Sequence, residues 1–145
     1  MREKVNPDEL VRKFYEVIWN GRDKRIVPEL LHEAFVFRGS LGVEKRGHAG
    51  FCEYLDAVHE ALGEYRCSIG EMVTDGRAVF ARMRFSGIHQ GELLGIGPTG
   101  RRVAWDGAAL FHFREGKISD LWVLGDRKSL EVQLSGTDLH PSGQG

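Results

Sequence analysis

No stretch of this sequence approaches the roughly 20 apolar residues that a helix needs to cross a bilayer, so no membrane span is expected. The opening residues, MREKVNPDEL, lack the apolar segment of a secretory signal, which makes the cytoplasm the expected location. Charge of one sign is lacking too. Lys and Arg number 20 and Asp and Glu 21, for a net charge of −1. That balance gives no electrostatic footprint for nucleic acid or an anionic membrane. The only cysteines, Cys52 and Cys67, lie far apart and match no metal-ligand spacing; they read as free thiols. His-x-His, His-Glu-x-x-His and Cys-x-x-Cys are absent, so no metal is expected. No Gly-x-Ser-x-Gly elbow supports a serine nucleophile, and nothing calls for a cofactor.

Glycine, by contrast, is plentiful at 19 residues. Gly95–Gly100, GIGPTG, fits the dinucleotide fingerprint Gly-x-Gly-x-x-Gly letter for letter. A phosphate loop of that kind must follow a strand and open a helix. Here Pro98 sits inside the motif and a strand pattern, RRVAWDGAALFHF, follows. The stretch therefore reads as a loop between two long strands, not as a nucleotide site.

The rest of the chain divides in two. NPDELVRKFYEVIWNG carries a helix-start signal, with Asn6 as cap, Pro7 in the first turn and Glu9 at capping-box spacing. DKRIVPELLHE reads as a short second helix, AFVFRGS as a strand, and HAGFCEYLDAVHEALG as a third helix with Phe51, Leu55, Val58 and Leu62 on its buried face. From there the period changes to two, and EYRCSIGEMVT, RAVFARMRFSGIHQ, RRVAWDGAALFHF and KISDLWVLGD read as four strands. Asp75-Gly76 and Glu115-Gly116 are hairpin turns. KSLEVQL predicts a final helical turn, and residues 135–145 a polar, disordered tail. The expected fold is α+β, a single domain over residues 1–134, with a curved antiparallel sheet and three N-terminal helices on one face.

Strand parity sorts the side chains. Val79, Ala81, Met83, Phe85, Gly87 and His89 share one face, as do Val103, Trp105, Gly107, Ala109, Phe111 and Phe113. In the last strand Ile118, Trp122, Leu124 and Asp126 share a parity, with Asp120 falling awkwardly in the same set, as a bulge would explain. Parity therefore groups Asp126 and His89 with Trp105, Trp122, Phe85 and Phe111 around a cavity. A carboxylate facing such a cavity loses hydration and its pKa rises, which suits proton transfer near neutral pH. The bland alternatives are that Asp126 caps the final helical turn and that His89 is a satisfied core residue. His48, in the first turn of the third helix, is either exposed or a pocket residue. Leu110, Ile88 and Phe80 on the outer face point to a homodimer.

The block from Gly87 to Leu134, GIHQGELLGIGPTGRRVAWDGAALFHFREGKISDLWVLGDRKSLEVQL, resembles the C-terminal half of SnoaL-like polyketide cyclases and their ester-cyclase relatives. VRKFYEVIWNGRD and KRGHAGFCEYLDAVHEAL resemble that family's first and third helices, so the likeness runs from Asp8 to Leu134. It implies the cone of the nuclear-transport-factor-2-like superfamily, a sheet wrapped around a pocket. It also implies aldol-type ring closure on a hydrophobic carbonyl compound, without metal or cofactor. Asp126 would be the acid/base and His89 the partner of the enolate, with Tyr15, His48, Phe85, Trp105, Phe111 and Trp122 contacting substrate. Ketosteroid isomerases share the helix-1 tyrosine, here Tyr15, but their acids fall near Arg38 and Ala109. Limonene epoxide hydrolases use an Asp–Arg–Asp set, where this chain offers only Glu92, Gln90 and Asp126. A binding module of the same fold, without chemistry, is the alternative.

Overall fold

A computed structural model describes residues 6–136, so nearly all of the tail expected over 135–145 lies outside the described residues. The first helix starts where its cap predicts. The Asn6 side chain accepts the Asp8 N–H, and Pro7 opens α1 (Pro7–Lys13). The chain then widens into a π-helical segment, Phe14–Asn20. Phe14, Tyr15, Ile18 and Trp19 of this segment all reach the core.

A short α2 (Val27–Leu30) leads into β1 (Leu31–Arg38), and a three-residue β2 (Glu44–Arg46) pairs with β1. The sequence reading had no counterpart for β2. The third helix, α3 (Gly47–Ala61), buries Phe51, Tyr54, Leu55 and Val58. It passes straight into β3 (Leu62–Thr74), so that Leu62, expected on the helix, opens the strand. Three more strands follow: β4 (Ala78–His89), β5 (Arg102–Arg114) and β6 (Lys117–Gly125). The chain closes with α4 (Arg127–Ser135). Gly76 and both residues of the Glu115-Gly116 turn have positive φ, as tight hairpins require.

The six strands form one sheet in the order β2-β1-β6-β5-β4-β3. Every pairing is antiparallel except β1 with β6. Register shifts interrupt β3 twice, and each bends the strand, so the sheet curls around the helices. Phe111 at the sheet centre meets the edges of Phe14 and Tyr15 at ring distances of 5.7 and 5.9 Å. Phe51 of α3 meets Phe35 and Phe37 of β1 at 5.7 and 5.3 Å. The helices thus fill the concave side with aromatic rings in edge-to-face contact.

One irregularity decides which residues face the site. On β5 and β6 the pair His112↔Asp120 is followed by Phe113↔Ile118, so β6 carries an extra residue. Ile118 and Ser119 are both buried in succession. Beyond that bulge the inward positions are Leu121 and Val123. Trp122 and Leu124 face out, at 45% and 50% exposure, which corrects the parity expected for the last strand.

Candidate functional site

The open end of the curled sheet lies where β1 and β6 end and where β3 and β5 begin. A groove of about 610 Å³ runs there between α3, the turn after β1 and the 90–101 loop. Leu41, Val43, Tyr54, Val58, Leu93 and Leu94 give it an apolar wall, with Lys45, Glu53, Glu92 and Arg127 at its edges. Its size suits a drug-sized ligand. Lys45 is tied to Glu53 at 3.0 Å and Arg127 to Glu131 at 3.0 Å. Glu92 makes no hydrogen bond or ion pair among the described residues.

The loop that supplies Glu92 is pinned at both ends. Gln90 and Gly91 donate their backbone N–H groups to Ala61 O, and Leu93 and Ile96 exchange two hydrogen bonds of 2.9 Å. Gly95 and Gly100 have positive φ, so the glycines read in the sequence as loop formers serve that purpose.

Beneath the groove the interior is almost filled. A hollow of about 20 Å³ remains between Tyr15, Trp19, Phe37, Ser40, Tyr54, Tyr65, Cys67 and Phe85, enough for one water. Burial raises the pKa of Tyr15, Tyr65 and Cys67 well above their ordinary values, and Tyr54 is pushed up to about 12, also chiefly by burial. These groups stay protonated at neutral pH and can donate hydrogen bonds.

Among the described residues three buried side-chain polar atoms have no partner: Tyr15 Oη, His89 Nε2 and Trp105 Nε1. The indole is a donor only. For His89 the neighbours fix the tautomer. Thr99 N–H donates to Nδ1 at 3.2 Å, so Nδ1 is an acceptor and the proton sits on Nε2. The Thr99 hydroxyl also reaches Nδ1, at 2.9 Å. His89 is therefore a neutral imidazole whose Nε2–H finds no acceptor.

The residues named from sequence are only partly brought together. Tyr15 and Phe85 line the hollow, and Trp105 packs on Phe85 with rings 5.5 Å apart. His89 is fully buried on the same face of the sheet. Phe111 lies in the core against α1. Trp122 stands outside, under the Arg38 guanidinium at 5.8 Å, and cannot touch a ligand within the cone. His48 donates through Nε2 to Leu31 O at 2.9 Å and lines a separate cleft with His32, Glu33, Glu115 and Lys117, so it fastens α3 to β1.

Asp126 is the largest correction. It is exposed, and its carboxylate accepts the Ser129 N–H at 3.1 Å as the N-cap of α4. The apolar surroundings expected of it are not there. Tyr54, Ser40, Tyr65 and Cys67 went unnamed as site residues in the sequence. Tyr54 follows Phe51 by three positions on the buried face of α3, and Tyr65 and Cys67 alternate inward on β3. That spacing was the available signal.

Among the described residues no cluster of His, Cys, Asp or Glu could hold a metal ion, and no helix is long and apolar enough to cross a membrane. Both cysteines are free thiols.

A curled, mostly antiparallel sheet with helices in its concave side defines a protein of the nuclear-transport-factor-2-like fold. Residues 9–134 match the family model for SnoaL-like polyketide cyclases, and the chain belongs to that family. A protein from Jannaschia sp. CCS1, named for the same family, shares the fold with a TM-score of 0.82 at 17% identity, covering 95% of this chain and 99% of its own. TsrD from Streptomyces laurentii aligns with a TM-score of 0.80 at 24% identity, over 92% of this chain and 98% of TsrD. A SnoaL-like polyketide cyclase from Agrobacterium tumefaciens aligns at 0.75 and 19% identity, over 88% of this chain and 96% of its own. No curated protein matches the sequence.

Proposed function

We propose that this protein binds a hydrophobic, carbonyl-bearing small molecule at the open end of the cone. The observations that carry this reading are the apolar groove of about 610 Å³ at that end and, deeper in the interior, three buried atoms without partners among the described residues, Tyr15 Oη, His89 Nε2 and Trp105 Nε1. Each unmet buried donor costs about 1–3 kcal/mol, so an interior that keeps them is provisioned for acceptors it does not itself contain. Carbonyl oxygens are such acceptors, and the aromatic walls suit the rings of a flat organic molecule.

Donors aimed at a carbonyl stabilise the charge that grows on its oxygen when a neighbouring C–H loses its proton. In that step the proton passes to a carboxylate, the enolate attacks a second carbonyl carbon, and the new alkoxide takes the proton back. With Asp126 turned outward, Glu92 is the carboxylate we assign to it, since it borders the groove and has no ion-pair partner among the described residues. A ligand lying in the groove would cover Glu92 and bring its carboxylate within reach of a ligand C–H.

Binding without turnover is the second reading. It is favoured by the lack of any buried carboxylate among the described residues. A second copy of the chain is the proposed partner of the outer sheet face, where Phe80, Leu110 and Trp122 stand side by side on paired strands.

The test uses 2-acetylnaphthalene and its carbonyl-free counterpart 2-ethylnaphthalene. The ketone should bind more tightly by about five- to tenfold for each donor it satisfies. Equal affinities would refute the donor-lined site. Deuterium exchange of the acetyl protons in D2O then separates the two readings. Exchange catalysed by the wild type and lost in Glu92→Gln supports chemistry, and exchange at the background rate supports binding alone.

A further inference from the structure

Glu92 stands on a loop, and a loop holds a side chain less firmly than a helix or strand does. The near half of that loop is tied to Ala61, and Leu93 and Ile96 are tied to each other. The half beyond Ile96 is different. Residues 97–101 are exposed, and a Cβ at Gly97 or Gly100 would meet nothing within 4 Å, so packing does little to fix this part. What fixes it is polar and converges on His89. We propose that His89 is the positioning residue of this loop: one ring nitrogen holds the loop, and with it the groove wall that carries Glu92, while the other is left for an acceptor on the ligand. This rests on the ligand-binding reading above.

His89 is the last residue of β4 and is fully buried. Its backbone grips the end of the loop: its N–H donates to Arg101 O at 2.8 Å, and its C=O accepts the Gly100 N–H at 2.8 Å. Its side chain adds Thr99, whose N–H and hydroxyl reach Nδ1 at 3.2 and 2.9 Å. Thr99 is folded back for this by its own neighbour, since its hydroxyl oxygen accepts the Arg101 N–H at 3.1 Å. Any residue at position 89 could make the two backbone bonds. The two bonds to Nδ1 need a side-chain acceptor at that place. Because Nδ1 accepts, Nε2 carries the proton, so the hold on the loop also dictates that a donor is presented at the far side of the ring. That donor is the one without a partner. The two ends of the ring can be separated by substitution. Asn puts an acceptor where Nδ1 lies and has nothing at the Nε2 place, whereas Gln reaches the Nε2 place with an amide and leaves Thr99 without its acceptor.

Amide hydrogen exchange of the full chain, read by mass spectrometry on the peptide covering residues 90–101 and corrected for intrinsic rates, measures the hold on the loop. His89→Gln should exchange about fivefold faster there, the factor one hydrogen bond is worth, whereas His89→Asn should stay within about twofold of the wild type. Thr99→Val removes the hydroxyl from the loop side without touching the core. It should accelerate the same peptide, and it decides the matter if His89→Gln does not fold. Peptides from α3 and β6 should keep their rates. The ligand end is read by the affinity of 2-acetylnaphthalene relative to 2-ethylnaphthalene, which should fall about fivefold in His89→Asn and less in His89→Gln. Equal loop exchange in the wild type, His89→Gln and Thr99→Val overturns the proposal. So does acceleration in His89→Asn as large as in His89→Gln, or acceleration shared equally by α3 and β6. If the loop is unmoved in every variant while the ketone preference falls in His89→Asn, the positioning role fails and the ligand reading stands. If loop exchange follows the expected pattern but the ketone binds none of the proteins, the ligand reading fails and the positioning role stands.

Discussion

Replacing Asp126 distinguishes the two roles that this residue has been given. As the N-cap of α4, its carboxylate meets the Ser129 N–H, one of the helix's unmatched donors. Asp126→Ala removes that bond, at a cost of about 1 kcal/mol, and removes a negative charge at the positive end of the helix, for about 0.3–1 kcal/mol more. The helix cannot shed this loss by fraying. Leu130 and Leu134 are buried beneath it, and the Gln133 amide bonds both the N–H and the C=O of Ala104 on β5, at 3.0 and 2.8 Å. The loss should therefore appear in global unfolding, as a fall in Tm of about 3–6 °C for a domain of this size. Asp126→Asn retains the acceptor and should lose only the charge contribution, under about 1 kcal/mol. Scanning calorimetry measures both variants, with 2-acetylnaphthalene affinity measured beside it. Both should bind the ketone as the wild type does. If Asp126→Asn melts like the wild type but no longer binds the ketone, the acid faces the ligand after all, and the outward placement is refuted.

Three further outcomes follow from the packing and charges. Gly107→Ala should destabilise by about 1–3 kcal/mol, because its Cβ would lie 2.6 Å from Phe85 Cε2 and 2.8 Å from Leu124 O; an unchanged denaturation midpoint would show that β5 yields more easily than the geometry allows. Burial, with Arg22 nearby, depresses the His59 pKa, while its Nε2 donates to Trp19 O. The unfolded state thus binds the proton more readily, so stability is complete above about pH 6.5 and falls as pH drops from there to the folded-state pKa, by up to about 1.4 kcal/mol per pH unit. His59→Gln, which keeps an amide donor for Trp19 O, should flatten that slope in pH-dependent denaturant melts, and an unaltered slope would assign it to other groups. On the outer face, Trp122→Glu should shift sedimentation toward the monomer, whereas a wild type that sediments as a monomer at high concentration removes the proposed dimer.

Apart from the three-residue β2, the helices and strands were legible because each announces itself locally. Asn6-Pro7 opens α1 as a cap and first-turn proline should, and β4 and β5 bury the alternate residues their pattern predicts, from Val79 to His89 and from Val103 to Phe111. The site was less legible because it depends on a single residue of register. Nothing in KISDLWVLGD states whether Ser119 bulges. The choice is made by β5, whose His112 and Phe113 face Asp120 and Ile118. Period-two reasoning carried past that point reverses every later side chain. It put Trp122 and Asp126 inside, when Leu121 and Val123 hold those places. The awkward Asp120 was the trace of the bulge in the sequence, since a charged side chain on an inward parity signals that the parity has slipped. His89 escaped this ambiguity because β4 keeps an unbroken register with β5, from Ala78↔His112 to Ile88↔Arg102. The lack of an acceptor at His89 Nε2, like that at Trp105 and Tyr15, has no sequence signature at all. It depends on what three separate segments leave unfilled once they are packed together. The unpartnered donors of the interior therefore follow only from how the elements pack, not from any residue pattern in the chain.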